Sequence, residues 1–69
     1  MTTVKIIELL GESTDSWEGA ISNAIAEAAK TIDGLSGVEV LNMTANVEDG
    51  KIVGYKVNLN AAFPVKERR

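Results

Sequence analysis

The sequence has no cysteine and no histidine. That removes disulfides and thiolate metal sites, and it argues against zinc-type sites and histidine acid–base catalysis. Aromatic residues are scarce, at one Trp, one Tyr and one Phe, and Pro64 is the one proline. No stretch of about 18 consecutive apolar residues is present, so no membrane span and no membrane partner are expected. Positive charge is also short: 7 Lys and Arg against 10 Asp and Glu give a net charge of −3. A nucleic-acid partner, which calls for a basic surface, is not expected either. Lys66, Arg68 and Arg69 form a small basic tail, read as a solvated end. Met1–Leu10 carries Lys5 and Glu8 inside its apolar pattern, unlike a secretion leader, so the expected location is cytoplasmic.

What is there is one strong helix signal in 69 residues, read as a single domain over residues 1–69. Trp17, Ala20, Ile21, Ala24, Ile25, Ala28 and Ile32 recur at helical spacing and place one apolar stripe along Ser13–Ile32. Ser13 is the expected cap, with Asp15 in a capping box with Glu18 as the competing register. Asp15 and Glu18 put negative charge at the positive end of the helix dipole. Gly34 is the expected stop.

The rest reads as strand. Thr3–Leu10, closed by Gly11, is apolar on both alternating sets: Val4, Ile6 and Leu10 on one, Ile7 and Leu9 on the other. A strand buried on both faces has this pattern. One helix covers one face, so the other is expected to meet a second subunit. Val38–Val47 is the second strand, and Glu48-Asp49-Gly50-Lys51 signals a tight hairpin. The third strand runs from Ile52 to about Val65, with Tyr55, Val57, Leu59, Ala61 and Phe63 alternating with Lys56, Asn58, Asn60 and Ala62. Gly54 suggests a bulge, and pairing is expected to fade at Pro64. The order β-α-β-β gives an α+β protomer: a three-stranded antiparallel sheet, ordered 1-3-2, partly wrapped around one helix. A lone protomer of this size is expected to be marginally stable.

With the elements in this order the chain resembles a dodecin, a family of very small proteins that assemble into hollow homododecamers and commonly bind flavins. The resemblance spans nearly the whole chain. It rests on V-K-I-I-E-L-L-G at Val4–Gly11, S-T-D-S-W-E-G-A-I at Ser13–Ile21 and A-K-T-I-D at Ala29–Asp33. V-E-V at Val38–Val40 and Y-K-V-N-L-N-A-A-F at Tyr55–Phe63 complete it. It implies a dodecin-like fold and a homododecamer that binds or stores a small ligand without catalysis. In flavin-binding members a tryptophan just ahead of the V-E-V-type run stacks on the flavin ring; here that position is Gly37. A glutamine after the aromatic residue of the third strand bonds the ring; here it is Lys56, after Tyr55. Flavin (FMN, FAD or riboflavin) is thus the family ligand, with both of its contacts replaced. The S-W-E helix start also resembles a subgroup without the flavin tryptophan that is associated with calcium.

Three further readings complete the expectations. Trp17 is expected to be a core residue at the helix start rather than a stacking platform. Glu39, Asn58 and Asn60 are secondary polar lining beside Gly37 and Lys56; the polar strand face contacts a ligand, a subunit interface or a water-filled cavity. Glu12, Asp15 and Glu18, and separately Glu39, Glu48 and Asp49, are carboxylates read as surface and dipole charges. A calcium site would have to combine several segments or subunits, since calcium needs six to eight oxygens. No nucleophile has a base beside it, and the protein is expected not to be an enzyme.

Overall fold

The computed structural model describes residues 3–65, so the basic tail lies outside the described residues. Four elements follow in order: β1 (Thr3–Ser13), α1 (Trp17–Ala29), β2 (Gly37–Glu48) and β3 (Lys51–Val65). The sheet is antiparallel and ordered β1-β3-β2, as the alternation and crossover argument requires. The hairpin turn is made by Asp49 and Gly50, both at positive φ (52° and 74°). That is the two-residue turn whose twist matches the flanking strands.

α1 lies over β1 and β3 and scarcely touches β2. Ala20, Ala24 and Ala28 form its buried edge, and Ala20 and Ala24 cluster with Val57, Leu59 and Ala61 of β3, all three fully buried. Small helix residues let the helix come close to the sheet, and Gly11 is where it comes closest. A Cβ at Gly11 would overlap the Ala20 carbonyl oxygen and lie 3.0 Å from the Ala24 Cβ. Gly11 is therefore not a strand terminator: β1 continues through it to Ser13, opposite Tyr55.

The helix is shorter than its apolar stripe. Ser16, in an extended conformation, is the N-cap, and its Oγ accepts from the Gly19 amide at 2.9 Å. Ser13 instead accepts from the amides of Asp15 (3.0 Å) and Ser16 (3.4 Å), folding the turn that leads out of β1. At the other end the Thr31 and Ile32 amides fold back onto the Ala28 carbonyl (3.2 and 3.0 Å). Ile32 is thus past the helix, ahead of Gly34 at φ 77°. Two β-branched residues followed by Asp give the helix little reason to continue.

Two details of β3 complete the frame. A register shift between Asn46 and Val47 leaves Val53 unpaired beside Gly54, the bulge that the glycine signalled. Pro64, by contrast, does not end the strand: it pairs with Val4, and Val65 with Thr3. The Ala62 carbonyl accepts from the Ser36 amide, on the side where β2 begins. Pro64, two residues on, points its nitrogen to that same side, beyond the start of β2. No ladder bond is lost there.

The protomer is elongated, 57 × 20 × 12 Å, with a radius of gyration of 14.5 Å. A compact chain of this length would have about 11 Å. The length follows β3, whose 15 residues span about 50 Å at roughly 3.3 Å per residue. Replacing Gly11 with alanine tests the close approach. Gly11→Ala is expected to cost about 1–3 kcal/mol of stability by overpacking, read as a lower denaturation midpoint. Gly37→Ala, where an added Cβ meets nothing within 4 Å, is expected to change it little.

Candidate functional site

The sheet face turned away from α1 carries the candidate residues. Directly opposed residues share a face, so the strand register defines four rungs across β1, β3 and β2. They are Ile6–Ala62–Gly37, Glu8–Asn60–Glu39, Leu10–Asn58–Asn42 and Glu12–Lys56–Thr44. Gly37, Glu39, Lys56, Asn58 and Asn60 thus all lie on one face, whose rungs hold no aromatic residue. Ile6 and Leu10 on this face are 56% and 55% exposed. It is a mixed surface: Ile6 and Leu10 alternate with Glu8 and Glu12 on β1, and Asn60, Asn58 and Lys56 share that face along β3.

Shared face does not mean shared site. Gly37 opposes Ala62, six residues along β3 from Lys56, a separation of about 20 Å at roughly 3.3 Å per residue. Two separate open grooves mark the two ends. Gly37, Glu39 and Asn60 line one of about 260 Å³ together with Ile6, Val38 and Ala62. Lys56 lines another of about 420 Å³ with Glu12, Ser13, Thr14, Asn46 and Gly54. Asn58 lies between them on the sheet. Gly37 and Lys56 thus line different grooves of the chain.

The carboxylates are dispersed as well. Among the described residues no group of three or more Asp or Glu comes together as a metal site. Glu39 lies near the start of β2, while Glu48 and Asp49 lie at the hairpin turn.

Trp17 is placed on the other face. Its indole Nε1 donates to the Thr44 carbonyl at 2.8 Å, and its ring meets Tyr55 edge-on with centroids 4.9 Å apart. Edge-to-face contact of this kind adds about 0.5–1.5 kcal/mol beyond burial. The indole is the hydrogen bond that ties the helix start to β2, a contact that helical spacing alone did not reveal. Asn23 adds a second tie, its Nδ2 donating to the Glu12 carbonyl at 2.8 Å. Trp17→Phe, which keeps a ring but removes the donor, is expected to cost about 1 kcal/mol. In a domain this small that lowers the melting temperature by about 4–8 °C.

The dodecin family model matches residues 3–66. The chain is 33% identical to the dodecin of Thermus thermophilus over 63 residues, 91% of each chain. A crystal structure of a variant of that protein superposes with a TM-score of 0.94 at 31% identity, covering 99% of this chain and 100% of the other. The calcium dodecin of Mycobacterium tuberculosis is 26% identical over 66 residues, 96% of this chain and 93% of that protein. Its structure, described as that of a calcium-chelating antigen with a novel calcium-binding site, superposes with a TM-score of 0.81 at 28% identity, covering 97% and 96%. The dodecin of Streptomyces coelicolor gives a TM-score of 0.92 at 30% identity, covering 97% and 96%. The β1-α1-β2-β3 order, the sheet order β1-β3-β2 and the match over nearly the whole chain agree: the chain belongs to the dodecin family.

Proposed function

We propose that this chain works as a single domain in a homododecameric, non-catalytic shell that binds or stores a small ligand, and that the ligand is not flavin held in the usual dodecin manner. The observation that carries the second part is the environment of Gly37. An added Cβ there meets nothing within 4 Å, and the adjoining groove is lined by Ile6, Val38, Glu39, Asn60 and Ala62, without an aromatic face. A flavin ring placed there would lose its stacking partner, about 1 kcal/mol beyond burial, and one shared with the Lys56 end of another subunit would meet a cation in place of a neutral amide. The separation of the Gly37 and Lys56 ends supports the first part, because a ligand contacting both positions has to be held between subunits.

Self-assembly is supported by what one chain leaves uncovered. Ten large apolar side chains are exposed among the described residues. Val38, Val40 and Met43 of β2 are among them, on the helix side of the sheet where α1 does not reach. At about 25 cal/mol per Å² their burial between subunits is a substantial driving force. A cytoplasmic location is part of this proposal. Among the described residues no helix is long and apolar enough to cross a membrane.

Calcium is the second reading, favoured by the likeness to a relative described as calcium-chelating. Because no three carboxylates converge within the described chain, such a site would be built from carboxylates of more than one subunit. A structural cage without a bound cofactor is the remaining alternative.

The experiment is a flavin titration. Riboflavin or FMN fluorescence is expected to stay unquenched by the natural chain and to be quenched by the Gly37→Trp, Lys56→Gln double variant. Strong quenching by the unaltered protein would overturn the reading of these two positions. For the calcium reading, the melting temperature of the assembled protein is expected to rise with added calcium and fall in chelator. Identical melting in both would remove calcium as a ligand.

A further inference from the structure

Glu12 and Lys56 are cross-strand neighbours on the helix-free face, with Cβ atoms about 5 Å apart at such a pairing. They do not pair with each other: the ion pair found among the described residues joins Lys30 to Glu27. Both charges instead line the groove of about 420 Å³ at the step where β1 ends and the β2–β3 hairpin carries on alone. Its remaining polar lining is Ser13, Thr14 and Asn46. The Ser13 oxygen already accepts two backbone amides, so its O–H is left to donate. At Gly54 the lining is bare backbone, with the Asn46 Nδ2 3.4 Å from where a Cβ would sit. Tyr55 borders the groove, but its ring is committed edge-on to Trp17. The groove therefore offers one cation, one anion, an amide and hydroxyls beside the edge-on Trp17–Tyr55 pair. Its volume is in the range of small-molecule sites.

We propose that this groove takes a compact zwitterion, an ammonium and a carboxylate joined by a short carbon chain, with the ammonium on Glu12 and the carboxylate on Lys56 and the Asn46 amide. The argument is one of charge. A simple anion on Lys56 would meet Glu12 on the neighbouring strand, and a simple cation on Glu12 would meet Lys56. A neutral ring would cover both charges without pairing either, which is costly. A ligand bearing both signs satisfies both and leaves the site neutral. Closure of Glu12 on Lys56 would compete, but an exposed ion pair of that kind is weak and a ligand can displace it. The inference rests on the reading of the chain as a ligand-binding shell and names the ligand class for its Lys56 end.

Trp17 supplies the readout, because it is the only tryptophan and is bonded to Thr44, the rung neighbour of Lys56. The assembled protein is titrated at constant ionic strength with glycine, β-alanine and γ-aminobutyrate, and separately with acetate and with methylammonium. Tryptophan emission and the melting temperature are followed. Saturable changes are expected with at least one zwitterion and with neither single-charge probe. Lys56→Gln and Glu12→Gln are each expected to weaken that response about two- to fivefold, while Lys30→Gln leaves it unchanged. Silence to every zwitterion, an equal response to acetate, or undiminished binding by Lys56→Gln would overturn the proposal. A native mass spectrum of the same sample separates the two levels of failure. A twelve-subunit particle that ignores the zwitterions sinks this inference alone, whereas an unassembled chain sinks the shell reading with it.

Discussion

The close approach of α1 to β1 at Gly11 is the contact on which the rest of the protomer depends. Because a glycine lies beneath the Ala20 carbonyl, the helix can settle its alanine edge on Val57, Leu59 and Ala61. A larger residue would lift it. With so few large side chains in the core, the depth of that contact decides whether there is a core at all. The same geometry sets the helix over β1 and β3. From there one long side chain, Trp17, reaches β2 and fixes Thr44 and Tyr55 from the helix side.

What the helix leaves bare follows from this position. β2 is an edge strand of 12 residues with Val38, Val40 and Met43 uncovered on the helix side, and the hairpin beyond β1 is a two-stranded ribbon. Neither is a stable arrangement in isolation: exposed apolar edge strands pair with other chains, and two strands alone are marginal in water. The accessible surface of 5112 Å² exceeds the about 4,200 Å² expected of a compact monomer this size. Both features agree with the proposed shell, in which the helix-free face would hold a ligand shared between subunits.

Much of the fold was legible in the sequence because its signals are periodic. Alternation along Tyr55–Phe63 and the Asp49-Gly50 turn each point to one local structure, and Thr3–Leu10 is strand as read, with Val4, Ile6 and Leu10 exposed in the single chain. Single residues were less legible. Ser13, Asp15 and Ser16 are all competent caps within four positions, and only the backbone shows that Ser16 takes the role while Ser13 folds the preceding turn. Gly11 looked like punctuation because a glycine after an apolar run usually is; its use as a crossing point involves a residue nine positions away. Pro64 looked like a break, but a proline harms a strand only where its nitrogen faces a partner. For the site, the positions Gly37 and Lys56 came from the family resemblance, while their separation along β3 needed the register. Glu12 as the neighbour of Lys56 was equally hidden, since the two are far apart in the chain.

The central claim is that the protomer is completed by copies of itself. Native mass spectrometry of the purified protein, repeated on dilution through the micromolar range and paired with circular dichroism, tests it most directly. The account predicts a particle of twelve subunits, with loss of sheet signal accompanying any dissociation. A stable, fully folded monomer at micromolar concentration would contradict it.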